Sequence, residues 1–141
     1  KKGGVLCAID LDTVMNSTSL NDFGDAIRSY ANTSEEDERD LSLVGLSPEM
    51  FRAYTEGYLS QRAKQLTASE IDNLAFSARY ITFEQVLRFL MDYIDGDTYY
   101  RIKYPEHNLV RTHAQYKLLR SMEEQYGTMC EIVRETVAKY K

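Results

Sequence analysis

No tryptophan occurs in the 141 residues, and cysteine and histidine occur only twice each. Cys7 and Cys130 stand far apart, each inside an apolar run, which predicts two buried free thiols rather than a disulfide or a zinc site. His107 and His113 have no nearby cysteine to complete a metal set and are read as solvated or hydrogen-bonded side chains. Basic charge is also in short supply. Seventeen Lys and Arg against twenty-two Asp and Glu leave a net charge of -5, which repels a phosphate backbone and sets nucleic acid aside as a partner. No apolar stretch approaches the ~20 residues of a membrane span, and no basic, apolar, small-residue leader opens the chain. The expectation is a soluble, cytoplasmic protein without a membrane partner. Internal repeats and low-complexity segments are lacking as well.

What is present is a hydrophobic fraction of 43%, suited to one domain that buries about two-thirds of its unfolded surface. "KKGGVLCAID" sets a Gly-Gly turn signal before the apolar run Val5 to Ile9, which reads as a β-strand buried on both faces. No other segment reads as a strand, and a buried strand needs neighbours for its backbone groups. Its partners are therefore expected elsewhere, with the chain being the rear part of something larger, cut near a hairpin. From Asn21 the pattern turns helical, with acids near the start, where the helix dipole favours them. The charge run "NTSEEDERDLS" (32–42) reads as a solvated loop or short helical turn. Ser47 as N-cap and Pro48 at the first helical position open a helix carrying Phe51, Tyr54, Tyr58 and Leu59. Thr67 and Glu70 form a capping box ahead of a long apolar series from Ile71 to Tyr93, one helix or two with a bend near Tyr80 to Thr82. After the "DGD" break, Val110, Ala114, Leu118, Met122, Tyr126, Met129 and Val133 form the stripe of a final helix, with Gly127 a weak point. The fold class is mainly α, with one amino-terminal strand and four or five helices.

Chemistry is expected where that strand ends. A carboxylate there is held rigidly and faces the cleft beyond the sheet. "IDLDT" places Asp10 at this position and Asp12 two residues on, so that in extended chain both face one side and suit a magnesium ion. The plainer reading is two aspartates closing a turn. The eleven tyrosines invite a carbohydrate-stacking role, but most fall on the apolar stripes and are expected mainly in the core.

Asp10-Leu11-Asp12-Thr13 resembles the D-x-D-x-T motif of haloacid-dehalogenase-like phosphatases, which implies Asp10 as a nucleophile. That class also needs further parallel strands, and "LMDYIDGD", the only imitation of its second acidic pair, follows a helical period. A wider resemblance uses more of the chain. "AIDLDTVM", "DFGDAIRSYANT", "DERDLS", "FRAYTEGYL", "RFLMDYIDGDTYYRI" and "HNLVRTHAQYKLL" together resemble the C-terminal part of aminoglycoside-phosphotransferase-like kinases, in the N-acetylhexosamine 1-kinase branch. The resemblance implies that residues 1–141 are the helical, substrate-binding C-terminal lobe of a protein-kinase-like fold, with residues 1–20 a strand and metal-binding turn. It implies ATP as co-substrate, magnesium held by Asp10 and Asp12, and a sugar acceptor lined by Arg88 and Tyr99. Asp22 matches an acid that braces the catalytic loop, and is otherwise a plain helix-start acid; Asp22-Phe23-Gly24 is then not the metal motif its letters imitate. Arg88 has a second reading too, as an ion pair with Glu84 or Asp92 at i-4 and i+4. "MNSTSLND" departs from the proline-glycine turn usual in near relatives. The catalytic base, ATP-binding lysine and glycine-rich loop are expected upstream of Lys1, so the 141 residues alone are expected to lack kinase activity. A third reading is a non-catalytic helical interaction module, with self-association through the exposed strand.

Overall fold

The computed structural model describes Cys7, Ile9, Leu11 and residues 14–141. Five helices follow one another: α1 Ser19–Tyr30, α2 Pro48–Arg62, α3 Ala68–Ile94, α4 His107–Glu124 and α5 Tyr126–Tyr140. The class is mainly α, as the periodicity predicts. Among the described residues there is no strand, and the one isolated bridge joins Asn32 to Leu46. Of the predicted strand, Val5, Leu6 and Ala8 lie outside the described residues, while Cys7 and Ile9 belong to no strand and Ile9 is 79% exposed. An apolar run becomes a buried strand only where other strands can accept its backbone bonds. Cys7 is accordingly exposed rather than buried, and Cys130 is half-buried; both are free thiols.

The helix starts are written locally. Thr18 caps α1, accepting from the Leu20 amide, so the helix begins two residues before Asn21. Ser47 caps α2, with Pro48 opening it. Thr67 and Glu70 form the expected capping box on α3. Helix α3 is a single 27-residue helix. At the point where the sequence allows a bend, the Thr82 hydroxyl donates to the Ala78 carbonyl, which keeps the polar side chain satisfied inside the core. The predicted final helix is two, broken at Gln125, whose amide donates to the Ser121 carbonyl and whose carbonyl accepts from the Met129 amide. Gln125 is held there by a tertiary clasp: its side chain donates to the Leu46 carbonyl and to Ser121 Oγ, which in turn accepts from the Leu46 amide.

Helix α3 is the spine, packed along α1 on one side and α4 on the other, while α2 lies along α5. Phe23 sits at the centre with no exposed surface, its ring meeting those of Phe51, Tyr54 and Tyr58 edge-on at centroid distances of 6.2, 5.7 and 5.1 Å. None of the eleven tyrosines is fully buried. Tyr54, Tyr58, Tyr126 and Tyr140 lean on the core from its edge, and Tyr30, Tyr80, Tyr99 and Tyr116 are exposed. The expectation that they are mainly core is therefore corrected: a phenol needs a partner for its hydroxyl, which favours the rim of the core over its centre. Among the described residues, no helix is long and apolar enough to cross a membrane.

The charge run 32–42 is a loop, but two of its acids are tied into the helices. Asp37 accepts from Lys103 Nζ at 3.0 Å and stands 2.9 Å from Nε2 of His107, a ring with no exposed surface. Because His107 Nδ1 accepts from the Lys103 amide at 3.1 Å, the ring proton sits on Nε2 and is donated to Asp37. The bonds from Lys103 and His107 outweigh burial and hold the Asp37 carboxyl down at about 2, from an ordinary 3.8. A depressed folded-state value adds stability above the unfolded-state value, and that gain is lost as pH falls through the folded-state value. Asp37→Asn is expected to lower Tm at neutral pH by roughly 3 °C, discounting for the partial exposure of the pair. Thermal melts of both proteins should converge as pH falls from about 4 to about 2; a gap independent of pH contradicts the assignment.

Candidate functional site

A concavity of about 850 Å³ opens between α1 and α3, with Glu36 of the loop and Arg111 of α4 at one end. That is the size of a small-molecule site. Its wall is mixed: the polar side chains Asp22, Asp25 and Arg28 come from α1 and Glu84, Gln85 and Arg88 from α3, with Ile81, Phe89 and Tyr100 among the apolar lining. These side chains meet because α1 and α3 approach very closely at Gly24, where a Cβ would lie 2.5 Å from the Ser77 carbonyl oxygen.

At the Glu36 end the charges are paired. Arg28 binds Asp25 through Nε and Glu36 through a terminal nitrogen, both at 2.8 Å, and also donates to Gln115 Oε1 at 3.3 Å. Burial lowers the pKa of this guanidinium, but the bonds and charges of Asp25 and Glu36 outweigh it and the pKa rises. Arg111 stands 3.8 Å from Glu36, donates to Asn108 Oδ1 at 2.9 Å and lies over the Phe89 ring at 5.2 Å. The open end differs. Asp22, Glu84 and Arg88 form no ion pair among the described residues, and Gln85 donates to the Tyr100 hydroxyl at 3.2 Å. The ion pair open to Arg88 along α3 is not formed. Asp92 is spoken for, since this buried carboxylate accepts from the Tyr99 and Tyr100 amides and from Asn108 Nδ2, at 2.7, 2.9 and 2.8 Å. Burial pushes the Asp92 carboxyl up, but the Tyr100, Tyr99 and Thr98 amides together with Asn108 outweigh it and hold it below the ordinary carboxylate range. The Arg88 guanidinium instead faces the Tyr100 and Tyr99 rings, at 5.6 and 5.8 Å from their centroids.

The sequence-predicted residues thus separate. Asp22 and Arg88 share the cleft. Tyr99 belongs to a smaller hollow of about 310 Å³ on the far side of Arg88, and is 74% exposed. Asp10 and Asp12 lie outside the described residues. Among the described residues, no group of three or more His, Cys, Asp or Glu is arranged to hold a metal ion. Arg28, Glu36, Gln85, Tyr100 and Arg111 join the site without having been singled out by sequence. The Asp25/Arg28 and Asn108/Arg111 spacings of i, i+3 carry a local signal; the pairings of Arg28 with Gln115, Glu36 with Arg111 and Gln85 with Tyr100 join residues far apart in the chain.

Helices α1, α3 and α4 thus frame a cleft of about 850 Å³ whose open end carries two carboxylates and a guanidinium that form no ion pair among the described residues. No protein-family model matches the chain.

Proposed function

We propose that this domain is the acceptor-binding wall of an ATP- and magnesium-dependent sugar phosphotransferase that acts on the anomeric hydroxyl of an N-acetylhexosamine. The observation that carries the reading is the open end of the cleft, where the Arg88 guanidinium and the Asp22 and Glu84 carboxylates line one space and form no ion pair among the described residues. A sugar offers hydroxyls that donate and accept together, so it is matched by acceptors and a fixed multi-donor fork around one space. The near balance of charge in the cleft favours a neutral acceptor over a polyanion. In such an enzyme ATP supplies the phosphoryl group and magnesium offsets its charge, while the protein contributes chiefly positioning. Positioning is what this cleft supplies. Arg88 donates to acceptor oxygens, Asp22 and Glu84 receive hydroxyl protons in hydrogen bonds, and the Tyr99 and Tyr100 rings keep the guanidinium in place.

Calorimetric titration of the protein with N-acetylglucosamine and N-acetylgalactosamine tests the reading without requiring turnover. Binding is expected, with Kd rising about tenfold or more in Arg88→Ala and in Asp22→Asn. Affinity that ignores Arg88→Ala, or no binding of either sugar, sinks the proposal.

A further inference from the structure

Helix α3 carries a second apolar face. Phe76, Tyr80, Phe83, Leu87, Met91 and Ile94 form a stripe along its outer side, between 41 and 71% exposed. The spacing is the three-and-four alternation of a helix seam, which places all six on one side over a length of about 27 Å. The opposite face already supplies the core through Leu74, Ala78 and Phe89, so among the described residues the stripe is no part of the core. At these exposures the stripe offers roughly 700 Å² per chain, beyond the apolar patches that monomers ordinarily leave in water.

We infer that this face of α3 is the interface of a symmetric homodimer, formed by two antiparallel α3 helices. Two features select a second copy as the occupant. The aromatic side chains Phe76, Tyr80 and Phe83 occupy the amino-terminal half of the stripe, and the aliphatic Leu87, Met91 and Ile94 the other half. An antiparallel two-fold lays each aromatic half on the partner's aliphatic half, with Phe83 against Leu87 at the centre, whereas a parallel pair stacks bulk on bulk. Two copies together bury roughly 1,400 Å², within the range of stable protein interfaces. Antiparallel helix dipoles also oppose favourably. The seam lies beside the cleft without lining it, so the inference stands whatever ligand the cleft takes.

Sedimentation velocity over a concentration series tests it. A mass twice the 16.3 kDa of one chain is expected at high concentration. Phe83→Glu with Leu87→Glu should raise the dimer Kd at least tenfold, with the helical circular dichroism retained because both side chains face solvent in the single chain. Leu43→Glu, an equally apolar exposed position off the seam, should leave the mass unchanged. A monomer at every concentration overturns the inference. So does a dimer that ignores the Phe83 and Leu87 changes but is lost on Ile9→Lys with Leu11→Lys, which places association at the amino-terminal segment.

Discussion

Gly24→Ala is expected to destabilise the domain by about 3 kcal/mol, lowering Tm by roughly 10 °C. The added methyl would sit 2.5 Å from the Ser77 carbonyl oxygen, 2.8 Å from its carbonyl carbon and 2.8 Å from Ile81 Cγ1. Two of those atoms are backbone of α3, which cannot rotate aside, so relief requires α1 to lift away. Lifting α1 withdraws Phe23 and Ile27, neither of which has any exposed surface. It also opens the floor of the cleft, so sugar affinity should fall along with stability. Gly57→Ala is the control. That glycine lies mid-helix in α2, and a methyl added to it would meet nothing within 4 Å. Alanine there should stabilise by about 0.5–1 kcal/mol through helix propensity and unfolded-state entropy. Thermal melts of the two variants should therefore move in opposite directions; a tolerated Gly24→Ala would show that the two helices do not meet as described.

Asp92→Ala is the second large effect expected, a Tm lower by about 10 °C with the loss concentrated in the α3–α4 connection. The chain leaves α3 through Gly96 and Asp97, both with left-handed backbone at φ 88° and 58°. Glycine adopts that conformation freely, but aspartate does so at a cost. What offsets it is the carboxylate of Asp92, which collects the Tyr99 and Tyr100 amides and Asn108 Nδ2, while Asn108 also reaches Asp97 Oδ1 at 2.8 Å. Removing the acceptor leaves these donors without a partner in a buried setting, where an unmade bond costs more than a made one contributes. Asp92→Asn should recover only part of the loss, since its amide nitrogen presents protons to groups that also donate. Amide exchange at Tyr99 and Tyr100 should accelerate in both variants; protection at wild-type levels would refute Asp92 as the anchor. Because these tyrosines flank Arg88, weaker sugar binding is expected to follow.

Much of this fold is legible without coordinates, because its signals act over three or four residues. Thr67 and Glu70 each accept from the other's amide within one helical turn, and Ser47 accepts from the Met50 amide with Pro48 opening the helix, so the starts of α3 and α2 need no tertiary information. Where structure and expectation part, a distant group decides. Gly127 marks a weak point in the final helix, but the break falls two residues earlier, at Gln125, where the Leu46 carbonyl holds the side chain. Val5 to Ile9 has the composition of a buried strand, but composition supplies no partner for its amides. Glu36 and Asp37 sit in a run that looks like plain solvated charge, yet each reaches a helix far along the chain.

The site divides in the same way. Arg88 is singled out by the resemblance, while its i, i+4 acids offer an equally good explanation in the sequence. The ion pair is not formed among the described residues, since Asp92 turns to the backbone of its own loop and Glu84 lines the cleft. Tyr99 shares the resemblance but not the cavity, because the left-handed turn at Gly96 and Asp97 carries it to the far side of the guanidinium.

By itself, the order of the amino acids determined the mainly helical character, the caps and the apolar stripes of the helices, since those depend on hydrogen bonds and side-chain spacing within a turn or two. Only the tertiary structure decided which charges meet, which are left over, and which face of α3 stays in water. Those outcomes are set by how closely one helix can approach another, and at Gly24 that distance rests on the absence of a single methyl group.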